Sequence, residues 1–132
     1  MPQNGLVVVA SKFSPRETMD RLLAALGARN MAVFARVDHA ANATAAGMTL
    51  RPTEVVVFGN PQGGTALMQD RQTAGIDLPL KALVWQDADG HTFLGYNDPQ
   101  WLADRHSLGA ASAAAVAAVT KALQAIAAEA TA

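Results

Sequence analysis

Apolar residues change their spacing several times along the chain, and each change marks an element. Gly5-Leu-Val-Val-Val-Ala10 is a β-branched run that predicts a first strand. Met19, Leu22, Leu23 and Leu26 then recur as one helical stripe. Ser14-Pro-Arg-Glu17 precedes that stripe: a capping hydroxyl, a proline suited to the first turn and a glutamate placed as a capping-box partner. Gly27 is the expected stop. Met31 to Asp38 alternates, with Val33, Ala35 and Val37 against Phe34, Arg36 and Asp38, which predicts a strand with unequal faces. Asp38 is placed to cap a short helix over His39 to Ala46, ended by Gly47. Val55-Val-Val-Phe58 is apolar on both sides, as an interior strand is.

Gly59-Asn-Pro-Gln-Gly-Gly64 reads as a sharp turn with Asn60 capping, followed by a helix over about Thr65 to Gln72. Leu78 precedes Pro79 and so enters the next strand extended. Leu80 to Gln86 and His91 to Tyr96 flank Asp87-Ala-Asp-Gly90, a hairpin signal. A helix restarts at Asn97-Asp98-Pro99, and Ser107 to Ala110 is a break. A long last helix reaches about Ala128, with Val116, Val119, Leu123 and Ile126 in one stripe. This order predicts one α+β domain over residues 1–132: a curved, mainly antiparallel sheet, helices packed on one face, and a long C-terminal helix.

The hairpin permits a finer expectation. With Asp89-Gly90 as a two-residue loop, Trp85 faces Leu94, Leu83 faces Tyr96 and Lys81 faces Asp98. The reverse face then carries Leu80, Ala82 and Val84 against Phe93 and Gly95. Both faces are apolar, so helices on one side cannot hide both. The Trp85 face is expected to need a cover of its own: short helices, a second subunit or a ligand.

Composition narrows the classes. The chain has 132 residues, 51% of them hydrophobic and 16% charged, which suits one globular core. It has no cysteine, which excludes disulfides, thiolate metal sites and a cysteine nucleophile. A formal net charge of −1 lacks the clustered basic residues that nucleic acid or an anionic membrane demands, so neither is expected as a partner. The first ten residues carry no secretory pattern, and Leu108 to Ala128 is too alanine-rich for a convincing membrane span. A cytoplasmic protein is the expectation.

Several motifs occur together and in order: Asp38-His-Ala40, Ala45-Ala-Gly47, Pro52-Thr53, Phe58-Gly-Asn-Pro61, Asp77-Leu-Pro79 before Leu83-Val-Trp85, and Tyr96-Asn-Asp-Pro99 ending at Arg105-His106. In these the chain resembles the bacterial and archaeal domain of unknown function family numbered 302, from about Gly5 to Leu108. The resemblance implies a fold like the TATA-binding-protein repeat, often as a homodimer, and it implies no reaction. Fold likeness does not import DNA binding.

Candidate chemistry is sparse. His39 and His106 each lie within two residues of an acid, Asp38 and Asp104, the company kept by general bases; helix capping or plain exposure is the competing account. No His-x₃-His or similar spacing supports a metal, and no cofactor motif is present, so neither is expected. Asn60 stands at a helix start where an anion could rest. Lys81 lies mid-strand in apolar company, either as a base of altered basicity or as an ion pair with Asp98. Trp85 and Tyr96 are core, interface or ligand platform. Asp87 and Asp89 read as turn formers. Three functions follow: a homodimeric module with a small-molecule pocket drawing on His39, Asn60, Lys81, Trp85, Tyr96, Asp98 and His106; an enzyme using His39, His106 or Lys81 as acid or base; or a purely structural domain.

Overall fold

Helix starts here are set by short polar side chains that meet free backbone amides. The structure, a computed structural model, describes residues 4–132. Ser14 Oγ accepts from Glu17 N at 3.1 Å and opens α1 (Pro15–Ala28). Asp38 Oδ1 accepts from Ala41 N at 2.9 Å and opens α2 (His39–Ala45). Asn60 and Asp98 do the same for α3 (Pro61–Asp70) and α4 (Pro99–Arg105), at 2.9 and 3.0 Å. Each cap satisfies an amide that has no partner inside its helix. The last helix, α5 (Ala113–Thr131), begins at Ser112, whose hydroxyl bonds elsewhere.

Five strands, β1 (Leu6–Ser11), β2 (Ala32–Asp38), β3 (Thr53–Gly59), β4 (Leu80–Gln86) and β5 (Thr92–Asn97), form one antiparallel sheet in the order β1-β5-β4-β3-β2. The connection through α1 carries the chain from one edge to the other, and β2 to β5 then meander back beside β1. Helices α1 and α5 pack against one another and on one sheet face. Leu22 and Leu26 of α1 and Leu123 and Ile126 of α5 meet Val56, Phe58, Val84 and Leu94 of the sheet. Burying each such large side chain contributes about 1.5–3 kcal/mol. A smaller cluster of Leu67, Ala74, Ala103 and Val116 joins α3, α4 and α5.

The hairpin register departs from the expectation. Gln86 pairs with Thr92, Trp85 with Phe93, Val84 with Leu94 and Ala82 with Tyr96. The loop takes in Asp87 through His91, because the Asp87 carboxylate accepts from Asp89 N at 3.0 Å and His91 N at 2.9 Å. A one-residue change flips a strand's side chains across the sheet. Leu94 and Tyr96 therefore enter the helix-covered core, and Phe93 and Gly95 share the other face with Trp85. The Lys81–Asp98 pair does not form: Lys81 Nζ donates to Pro79 O at 3.1 Å, and Asp98 caps α4.

Other boundaries shift for local reasons. Asn30 rather than Gly27 takes the left-handed position after α1, with φ 55°, and Met31 N closes the end on Leu26 O at 3.1 Å. The third helix starts at Pro61, not Thr65, because Asn60 caps it directly, and Gln72–Asp77 is a separate 3-10 turn. Strand β2 slips register between Val33 and Ala35, which leaves Phe34 54% exposed on the sheet's edge. Leu78 is extended, as its proline neighbour requires.

Candidate functional site

At one end of the sheet, β3 stops at Gly59, Asn60 caps α3, and the chain returns through Leu78-Pro79 into β4. These turns leave a cavity of about 260 Å³. Its walls come from Met31 just before β2, Phe34 of β2, Gly59 at the end of β3, the first turns of α3, the entry to β4, Pro99 and Leu102 of α4, and Val119 of α5. Among the described residues no charged side chain lines it, and only Asn60 and Thr65 bring polar side chains. Asn60 already spends its oxygen on the α3 cap.

Gly63 and Gly64 form the wall in the first turns of α3. A Cβ added at either would meet only Val119 Cγ2 or Leu78 Cδ1, both at 3.9 Å, so the backbone conformation does not require glycine there. Glycine costs about 1 kcal/mol relative to alanine inside a helix. The pair weakens α3 and leaves open the space that two methyl groups would fill.

The residues singled out from sequence are scattered. Asn60 alone borders the cavity. His39 is the exposed first residue of α2. Lys81 and Trp85 stand on the sheet face away from α1 and α5, where Trp85 stacks on Phe93 with ring centroids 5.6 Å apart. Tyr96 lies on the opposite, helix-covered face at 7% exposure. Burial, and then the Asp98 charge, push its phenol pKa up.

His106 is paired with Asp77, not with Asp104. Its Nε2 lies 2.5 Å from Asp77 Oδ2 and its Nδ1 3.1 Å from Thr73 Oγ1, while Arg105 Nη1 reaches both Asp77 oxygens at 3.0 Å. Both ring nitrogens are occupied, so this imidazole fastens the 3-10 turn to the end of α4 and offers no free lone pair to a substrate or metal. His39, Lys81 and His106 stand on different elements, and none borders the cavity.

Asp87, Asp89 and His91 bring potential ligand atoms within 4.8 Å of one another in the β4–β5 loop. Two backbone amides hold Asp87 Oδ1 there, and they depress its carboxyl pKa, the His91 amide most. Those bonds build the loop. Helix α5 is long and apolar enough, at 19 residues, to cross a membrane by length and composition. Here it packs Leu123, Ile126 and Ala127 against the core.

Sequence reasoning missed most of the cavity wall, because Met31, Phe34, Leu78, Leu102 and Val119 come from separate segments with no common motif. One signal was present: two adjacent glycines inside a helix start, against propensity.

Comparison with known proteins places these features in a wider group. The sequence profile described as Domain of unknown function DUF302 matches residues 7–128. A crystal structure of an uncharacterized conserved DUF302 protein from Bacillus stearothermophilus superposes with a TM-score of 0.84 at 22% identity, covering 95% of this chain and 97% of that one. That likeness extends to the fold alone. Proteins named fluoride-specific ion channel FluC 1, from Brucella suis biovar 1 (strain 1330) and Brucella abortus biovar 1 (strain 9-941), are 53% identical over 116 residues, which is 88% of this chain but 46% and 43% of theirs. The chain spans less than half the length of these curated relatives.

Proposed function

The chain belongs to the family described as Domain of unknown function DUF302, and on that premise we propose that it is a binding module receiving a small molecule in the cavity between β2, α3 and the entry to β4. The observation that carries this reading is an uncharged space of about 260 Å³ edged by two glycines that cost α3 stability. Native mass spectrometry of the freshly purified protein tests it. A small molecule retained by the wild-type chain and lost from Val119→Phe, whose larger ring projects into the space, is the expected result. Retention unchanged by that substitution would move the site elsewhere and overturn the reading.

The curated relatives' name describes proteins of which this chain matches under half. Fluoride is small and strongly hydrated, and an apolar cavity returns little for its lost water. We read the matching stretch in those relatives as a companion module, with the named transport belonging to the remainder of each protein.

The open sheet face supports a second element of the proposal, a homodimer. Leu6 and Val8 are 41% and 47% exposed there, beside half-buried Val55, Val57, Leu83, Trp85 and Phe93. Five strands at about 4.8 Å spacing and six residues at about 3.3 Å rise span roughly 24 by 20 Å. Two such faces remove about 1,000 Å² together, the lower end for a specific interface. A second copy of the chain fits because Lys81 is the sole charge among the residues of β1, β3, β4 and β5 aligned on that face. Sedimentation at micromolar concentration is expected to give a dimer for the wild type and a monomer for Val8→Lys. A wild-type monomer would remove the dimer and leave the cavity untouched.

A further inference from the structure

Resting on the cavity reading, we infer that its ligand class is a neutral aromatic compound of about bicyclic size, and not an anion, a phosphorylated metabolite or a long acyl chain. Charge is the first filter. No charged side chain lines the space among the described residues, and Asn60, one of its two polar side chains, is committed to capping Gln62 N. A carboxylate or phosphate entering it would lose water and gain no counter-charge. Size is the second. A dry cavity of about 150 Å³ holds benzene, so the same packing scaled to about 260 Å³ takes about ten non-hydrogen atoms. That is the size of naphthalene or indole, and it is short of a long acyl chain.

Wall chemistry is the third filter: beside aliphatic Leu67, Leu78, Leu80, Leu102 and Val119 stand groups that add contacts specific to an aromatic ring. Phe34 offers a ring for offset or edge-on contact, and Met31 and Met68 place thioethers beside the space. Pro61, Pro79 and Pro99 add rigid apolar surface that loses no side-chain entropy on binding. Phe34 sits at the β2 register slip on the edge strand, where its ring both lines the cavity and meets solvent.

The test measures binding of naphthalene, indole, 2-naphthoate and decanoate to the whole chain by protein-observed NMR. It is repeated on the Gly63→Ala/Gly64→Ala double variant, which removes two methyl volumes of space while raising helix propensity. The expected result is saturable binding of naphthalene and indole that shifts the Gly63 and Gly64 amides. Naphthalene should exceed 2-naphthoate by about tenfold or more, since the charge must be desolvated. The double variant should melt higher than the wild type and bind naphthalene about tenfold more weakly. Tighter, variant-sensitive binding of 2-naphthoate or decanoate would overturn the ligand class and leave the cavity as the site. Binding of all four probes that is absent, or indifferent to both Val119→Phe and the double variant, would overturn the cavity reading and the class together.

Discussion

Gly5 shows how much one residue can fix. Its φ is +79°, and a Cβ built there would lie 2.5 Å from Trp101 Cδ2. The Trp101 ring therefore lies directly on the backbone at the start of β1, and Asp98 N donates to Gly5 O at 2.7 Å, so α4 is clamped to the sheet's edge strand. Gly5→Ala combines left-handed strain with a steric clash, and its unfolding free energy in urea is expected to fall by about 1–3 kcal/mol. A change within error would mean that Trp101 moves aside at no cost. Gly95 plays a milder version of the same part: it lies under the Trp85 ring, where a Cβ would sit 3.0 Å from Cζ3. In both places a glycine lets an indole cover backbone.

Between elements, polar side chains do the fastening that apolar packing alone leaves loose. Asp70, at the end of α3, accepts from Ser112 Oγ at 2.7 Å and Gly109 N at 2.9 Å, which ties α3 to the approach of α5. The Ser112 hydroxyl and then the Gly109 amide hold the Asp70 carboxyl below its ordinary pKa. A carboxyl depressed in the folded state contributes stability that is present above the unfolded value, about 3.9, and is lost as pH falls through the native one. Asp70→Asn is thus expected to lower the melting temperature at pH 7, with the gap to wild type closing as pH falls below about 4, the unfolded carboxyl's value. A gap that stays constant across that range would assign the loss to something other than the charge. At this scale the caps by Ser14, Asp38 and Asn60 were legible beforehand, since each acts on an amide two or three residues ahead, whereas Asp98, expected opposite Lys81, caps α4 instead. The pairing of His106 with Asp77 was not, because the partner lies 29 positions away.

Across the whole molecule the asymmetry of the sheet dominates. One face carries α1 and α5 and the other leaves Leu6, Val8 and the Trp85–Phe93 stack toward solvent. If a second copy covers that face, binding is linked to folding, and the apparent melting temperature of the wild type rises with protein concentration. The expected outcome is a rise of a few degrees, roughly, over a hundredfold concentration range, absent in Val8→Lys. A wild-type melting temperature independent of concentration would count against a dimer linked to folding.

Residues close in sequence determined the starts of α1 and α2, the interior character of Val55–Phe58, the α+β class and the presence of a second apolar face, because periodicity and capping act within a few positions. Tertiary structure decided which residues share that face. The Asp87 carboxylate wraps the β4–β5 loop, and the longer loop moved Leu94 and Tyr96 into the core and brought Phe93 out beside Trp85. It also decided where a ligand could sit. The cavity has walls from β2, β3, α3, β4, α4 and α5, and its shape follows from how six short segments meet, which no spacing within any one of them encodes.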